Sequence, residues 1–420
     1  MATTTTETKA APVKETFHFI NDPAGISHTH KTPPITVHTN PWSDAINEAM
    51  TGLTYLNPSL VYSPEYKIVH RNDLSAFSRS HVTTIGFSGG GHEPMFGGFV
   101  GPNFLSAYVS GNIFASPTAA QIFQAIQLCQ STPEARNHGS LVVCGNYTGD
   151  ILNAGLAITR AQAAGYKVHF CPVGDDVAVG RAKGGKVGRR GLSGHLVALK
   201  SACAVAQQGG DLARVAAVME YVCSNVGTIG VAFDRYVHPV IMDRADRHVL
   251  TCYSVALPNA RLTDLQSLPD ATIELGMGAH GEPGLRQLHP VPSPESLTSQ
   301  MTDLLLDVSD PDRSFIPFSA SSFAADAPED ADNEVILTLN SLGSTSDEVL
   351  ARFAELGVNE LQKRGFVVRR VTLGPLVTSL KMSGFGFTLW RLPKPQGEIL
   401  TRQQAIECWD EKVDVVAWRQ

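Results

Sequence analysis

Charge is sparse in this chain. Only 17% of its 420 residues are Asp, Glu, Lys or Arg, and the net charge is −7. That balance gives no electrostatic reason to bind nucleic acid or an anionic membrane surface. Long apolar runs are missing as well, and none approaches the ~20 residues of a membrane-spanning helix. No C-x-x-C pair occurs among the seven cysteines (Cys129, Cys144, Cys171, Cys203, Cys223, Cys252, Cys408). Scattered thiols, several of them inside apolar runs, read as buried and free in a reducing compartment. A cytoplasmic location is therefore expected. The start, MATTTTETKAAPVKET, lacks the apolar stretch of a secretory signal, so residues 1–20 read as a disordered tail. Gly-Lys-Ser/Thr at P-loop spacing is absent. His28 and His30 alternate along an extended stretch without a third ligand nearby, so no metal site is expected.

An apolar content of 43% is ordinary for a globular chain and sufficient for two cores at this length. The informative stretches are strand–helix–strand units. SLVVCGN (140–146) is a short β-branched run, LNAGLAITRAQAAG is rich in helix formers and closes on Gly165, and YKVHFCPV is again strand-like. A βαβ unit implies a parallel sheet covered by helices. The pattern returns with EVILTLNSLG, a helical period over 346–364, and FVVRRVTL. An α/β fold with two α/β domains follows, divided near Cys223: a first domain over 21–222, a second over 223–395, and a C-terminal extension over 396–420. The acidic stretch 319–333 reads as a surface loop.

Three segments can carry chemistry. In IGFSGGGHEPMFGG, Gly89, Gly90 and Gly91 follow an apolar run and precede His92 and Glu93. Consecutive glycines let backbone N–H groups converge on an anionic or polar ligand; the plainer reading is a glycine turn. Asp150, in NYTGD, sits where a strand ends and a helix begins, an edge at which α/β sheets bind ligands. It can orient a hydroxyl or exchange a proton, or simply cap the helix starting near Ile151. In IELGMGAHGEPG, glycines flank His280, and an imidazole nitrogen can add to a carbonyl carbon; the plainer reading is a structural loop histidine. Such an addition needs a neutral nitrogen, so at an ordinary pKa of ~6.5 it should fail on the acid side. The run GRAKGGKVGRRG (180–191) either grips a phosphate or packs as a solvated loop.

SGGGHEP, NYTGDILN, GDDVAVGRAKGGKVGRRGLSG, ELGMGAHGEPG, LNSLGSTS and TSLKMSGFGFTLWRL, in this order between about Thr54 and Leu392, resemble the dihydroxyacetone kinase family, specifically its K subunit or K domain. The resemblance implies two α/β domains, a homodimer, and a small ketone held covalently by His280. It gives His92 the role of acid or base and Asp150 that of holding a substrate hydroxyl.

Departures from the family pattern concern the same segments. SGGGHEP stands where the family reads SGGGSGHEP, Gly145 stands where it has a substrate-binding lysine, and Phe96 where it has histidine. The nucleotide-binding L domain is not seen after residue 395. Gly89, Gly90, Gly91, Glu93, Phe96 and Gly145 are the expected substrate-binding positions beside the three catalytic candidates. Two histidines and a carboxylate suit isomerase, dehydratase or aldol-type chemistry without ATP on a hydroxy-ketone or aldehyde, and this is the first expectation. The alternatives are the substrate-binding subunit of a glycerone kinase, with ATP and magnesium brought by an L-type partner, and a non-catalytic regulator. No cofactor is expected in the chain itself.

Overall fold

The computed structural model describes residues 45–185, 187–233, 272–319, 333–380 and 382–418. Two six-stranded sheets organise them. The first contains β1 (Leu60–Ser63), β2 (Ile68–Arg71), β3 (Thr83–Gly90), β4 (Ala107–Ile113), β5 (Ser140–Gly145) and β6 (Val168–Val173), in the order β1-β2-β4-β3-β5-β6. Its β4, β3, β5 and β6 run parallel, while β1 and β2 form an antiparallel hairpin added to the β4 edge. The NYTGD helix, Thr148–Ala163, is the crossover from β5 to β6. Gly165, just past its end, takes the left-handed φ of +81° that such an exit favours.

The second sheet contains β7 (Val226–Ala232), β8 (Ile273–Leu275), β9 (Arg286–Leu288), β10 (Glu334–Ser341), β11 (Val367–Gly374) and β12 (Gly384–Arg391), in the order β11-β10-β12-β7-β8-β9. The β10–helix–β11 unit is parallel as its sequence indicates, with the helix at Asp347–Lys363. Every other pairing is antiparallel. The link 375–383 is shorter than the dozen or so residues of a parallel crossover, so the chain returns antiparallel and β12 lies between β10 and β7.

Between the sheets lies the helix Gly194–Gln207, buried from Gly194 to Ala206. It touches β3 of one sheet and β7 and β12 of the other. A helix apolar on all sides belongs in an interior. Its one lysine, Lys200, is fully buried and donates to the carbonyls of Cys408 at 3.0 Å and Glu411 at 2.6 Å. That contact ties the helix to the C-terminal segment, where Trp409 and Trp418 pack together at 5.3 Å and Trp418 meets Phe99 and Phe104. Cys129, Cys144, Cys171, Cys203 and Cys408 are buried free thiols and Cys223 is partly buried. No helix among the described residues is long and apolar enough to cross a membrane. The expected tail, His28, His30, Cys252 and most of the acidic loop 319–333 lie outside the described residues.

Candidate functional site

His92 and His280, 188 positions apart in the chain, meet with their Nε2 atoms 3.1 Å apart and their rings nearly perpendicular, at 83°. Two glycine-bearing turns bring them there. The SGGGHEP turn leaves the carboxyl end of β3, and the GAHGEPG turn joins β8 to β9. The link 375–383 holds both. Thr378 N–H donates to the His92 carbonyl at 3.2 Å, Thr378 Oγ1 to the Glu93 carbonyl at 2.7 Å, and Leu380 N–H to the Gly91 carbonyl at 3.0 Å. On the other side, the Ser379 hydroxyl donates to the Ala279 carbonyl. The buried Asn340 fixes the base of the link by accepting from the Leu376 and Val377 N–H groups at 3.0 and 2.7 Å.

The hydrogen-bond partners determine where the protons are. A carbonyl only accepts, so His92 Nδ1 carries a proton and donates it to Thr378 O at 2.8 Å. His280 Nδ1 lies 3.0 Å from Glu282 Oε1, and Glu282 Oε2 also accepts the His280 backbone N–H at 2.9 Å. Both Nδ1 atoms are thus protonated, and the Nε2–Nε2 contact requires one further proton between the two lone pairs. With that proton in place, below the raised pKa of His280, the pair holds three protons and a single positive charge.

Electrostatics assign that proton to His280. Burial lowers the proton affinity of both rings. At His280 the charge of Glu282, its hydrogen bond and the charge of Asp150 outweigh burial, and the pKa is raised. At His92 burial and the charge on His280 bring the pKa down to about 3. The Glu282 carboxyl is held well below its usual range: its own burial opposes this, and the charge and hydrogen bond of His280 prevail.

Asp150 lies in the first turn of the Thr148–Ala163 helix, and its charge and that of His280 act on each other. It is not the cap of that helix, because the helix begins at Thr148 with Tyr147 in the capping position. Asp150 is buried, its Oδ1 finds no hydrogen-bond partner among the described residues, and burial pushes its pKa up to about 6 against a hydrogen bond from Ser116 and the charge of His280. A buried oxygen left unpaired suits a hydroxyl donor from a ligand.

One N–H of the glycine run is engaged within the loop itself. Gly91 N–H donates to the Glu93 carboxylate at 2.9 Å, so the loop's own side chain takes the acceptor position. Gly89 and Gly90 end β3 with no room for a side chain: a Cβ at 89 would meet Ala115 N at 2.9 Å, and one at 90 would strike Ile46. Phe96 is fully buried in the core, against Tyr108 and His195. Gly145 faces Tyr147 and His195. The arginines of GRAKGGKVGRRG are engaged within the protein. Arg190 pairs with Asp176 at 2.7 Å and donates to Gly276 O at 2.7 Å, while Arg181 and Arg189 lie over the Phe315 ring at 4.3 and 4.1 Å.

Sequence reasoning missed Thr378 and Ser379, which lie in the TSLKMSG motif, and two aromatic walls. Phe114 packs edge-on against His92 at 4.8 Å and His280 at 5.3 Å, and Tyr147 against His280 at 4.8 Å. Phe114 has a left-handed φ of 51°, which costs on the order of 1–2 kcal/mol in a residue with a Cβ. Among the described residues there is no group of three or more His, Cys, Asp or Glu placed to hold a metal.

A family profile described as the Dak1 domain matches residues 51–417. Dihydroxyacetone kinase 2 of Saccharomyces cerevisiae is 36% identical over 354 residues, which cover 84% of this chain and 54% of that protein. Triokinase/FMN cyclase of Mus musculus is 30% identical over 369 residues, 88% of this chain and 57% of that protein. The chain thus spans a little over half the length of these curated relatives. Among solved structures, the native dihydroxyacetone kinase of C. freundii superposes with a TM-score of 0.68 at 28% identity, covering 91% of this chain and 60% of that one.

Proposed function

The chain belongs to the Dak1 domain family, and from that premise we propose that it is the carbonyl-holding part of a dihydroxyacetone-kinase-type phosphotransferase. In this reading an L-type partner brings ATP and magnesium. The observation that carries it is the contact between His92 and His280, whose Nε2 atoms lie 3.1 Å apart. The protonated pair passes its shared proton to His92 and frees the lone pair of His280 Nε2. The lone pair adds to the carbonyl carbon, a C–N bond forms, and the C=O π pair moves to oxygen. His92 then protonates the oxygen. The product is a hemiaminal whose positive charge lies on the substituted His280 ring beside Glu282, and no proton is exchanged with water. Asp150 accepts a hydroxyl of the held ketone and fixes which end faces outward. Phosphoryl transfer to that end needs concentrated positive charge. Gly145 supplies none, so the partner must.

Relatives named as kinases at 30–36% identity favour this reading over the ATP-independent carbonyl enzyme ranked first from the residues alone. One observation keeps the latter in view: the unpaired Asp150 oxygen, with a pKa raised to about 6, is suited to removing a proton from carbon. The proposal further includes a homodimer in the cytoplasm with domains over 21–222 and 223–395, which light scattering and limited proteolysis would check.

The test uses dihydroxyacetone labelled with ¹³C at the carbonyl. Loss of the carbonyl resonance and appearance of a tetrahedral carbon are expected with the native chain. His280→Ala should abolish the adduct and lower any turnover by roughly 10²-fold or more, with melting unchanged. ADP release is expected only when an L-type nucleotide-binding subunit is added. An adduct without ADP release in that mixture, together with deuterium exchange into the ketone, would move the assignment to the ATP-independent enzyme.

A further inference from the structure

One arginine of the GRAKGGKVGRRG run stands behind the carboxylate that serves His280. Arg190 is fixed through two of its three side-chain nitrogens. Nε and Nη2 each lie 2.7 Å from Asp176 Oδ2, and Nη2 also donates to the Gly276 carbonyl at 2.7 Å. Asp176 is itself fully buried, with Oδ1 accepting the Ala178 N–H at 2.8 Å. A guanidinium anchored in this way keeps its charge in one place. The remaining nitrogen, Nη1, faces the GAHGEPG turn. A Cβ on Gly278 would come within 2.5 Å of Arg190 Nη1 and 2.2 Å of Glu282 Oε2, so cation and carboxylate share the space beside that glycine. The other carboxylate oxygen, Oε1, is the one that meets the His280 ring. When that ring is protonated, Glu282 therefore lies between two cations, His280 at one oxygen and Arg190 near the other.

We propose that Arg190 is a positioning residue for the proton of the histidine pair: it draws on the far oxygen of Glu282, keeps that carboxylate from fixing the proton on His280, and so lets the proton cross to His92. The inference rests on the carbonyl-holding reading above, in which addition starts only once the His280 Nε2 lone pair is free. Glu282 and Asp150 strengthen the hold of His280 on its proton, and the Arg190 charge opposes them. The rings packed against His280, those of His92, Phe114 and Tyr147, are uncharged while His280 is the protonated member. Before addition the positive charge is on the His280 ring, and in the adduct it is on the same ring, now substituted. Only in between does it lie on His92, farther from Glu282. Arg190 therefore favours the intermediate stage and bears equally on the two ends. An interaction of that kind governs how fast the adduct forms and breaks, and hardly how much of it forms.

The test uses the full chain and two NMR readouts. Imidazole ¹⁵N spectra of the ligand-free protein follow the titration of His280, and saturation transfer with ¹³C-labelled dihydroxyacetone gives the rate at which the adduct exchanges. Arg190→Met/Asp176→Asn removes the ion pair as a unit, so that no lone charge is left buried. In this variant the His280 midpoint should move to higher pH. Adduct exchange should slow by roughly tenfold, the order for one nearby charge at a partly buried site, while the bound fraction at the pH of tightest binding stays nearly unchanged. Arg190→Lys, which keeps the charge, should bring both midpoint and rate most of the way back. If the double variant does not fold, Arg190→Gln, which keeps a donor for Asp176, takes its place with the same expectations. An unmoved His280 midpoint, whatever happens to binding, would overturn the proposal and leave Arg190 as a brace for the turn. A shifted midpoint without any adduct in the native chain would overturn the carbonyl reading and leave the action of Arg190 on the proton standing.

Discussion

The two histidine turns differ by one inserted glycine, and that glycine separates their chemistry. In His92-Glu93-Pro94 the glutamate folds back onto Gly91 N–H, and the histidine is left with a neutral carbonyl partner. In His280-Gly281-Glu282-Pro283, Gly281 adopts φ +78°, and Glu282 turns onto both the backbone and the ring of its own histidine. The same three residue types thus give a ring whose pKa falls to about 3 and a ring whose pKa rises. Where a carboxylate lands is decided by backbone reach, not by composition.

Removing the carboxylate should break this contrast most strongly. Glu282→Gln leaves a hydrogen-bonding side chain but no charge, and His280 loses the main influence that raises its pKa. We expect the ketone adduct to weaken by roughly 10- to 100-fold, the range for a lost charged hydrogen bond. A ¹³C titration across pH would show it. A variant that binds like the native protein would mean that Glu282 only shapes the turn.

The pH profile of the native chain sharpens the comparison. The singly protonated pair already carries the proton that the hemiaminal hydroxyl needs. Above the raised pKa of His280 the pair loses that proton, and the adduct should weaken about tenfold per pH unit. Below about pH 6, Asp150 becomes protonated and its bond to the ligand hydroxyl is no longer charge-assisted, so binding should fall there too. The upper limb is the reverse of what a lone, ordinary histidine would give. Asp150→Asn should flatten the acid limb and leave the alkaline one, and calorimetry from pH 5 to 9 would test both.

The smallest effect is expected at the spacer itself. Gly281→Ala places a Cβ at φ +78°, a strain of roughly 1–2 kcal/mol. Melting should drop by a few degrees, and the adduct should weaken less than in Glu282→Gln. A larger loss of binding than of stability would show that the turn controls the aim of Glu282.

Much of the fold was legible. The β5–helix–β6 and β10–helix–β11 units declare themselves through apolar runs, helix formers and the closing Gly165 and Gly365. The placement of β12 did not. GFGFTLWR is buried on both faces, so it has no alternation to fix direction or neighbour, and only the shortness of the 375–383 link decides. At the site, His92 and His280 stood out because each follows glycines in a turn beside a strand end, and the two rings meet. Thr378 and Ser379 were not, since much of their work is done by backbone groups, which leave no mark on residue choice. Phe114 was missed because a single phenylalanine after a strand reads as core; its left-handed φ is visible only in coordinates. Glu93 has a use that its proximity to three glycines did not indicate: its carboxylate accepts from Gly91 N–H inside the loop.

Thr378 and Ser379 are neighbours, yet one is bonded to the His92 turn and the other to the His280 turn. The two imidazoles therefore share a common mount one peptide long. If the sheets drift against each other, both turns are carried along with it, and the drift largely cancels from the gap across which the proton moves. Proton transfer needs that gap held to a few tenths of an ångström, a tighter tolerance than two independently placed loops would keep. The link acts as a reference bar, and lengthening it by even one residue between 378 and 379 would detune the pair while leaving each histidine in its own well-formed turn.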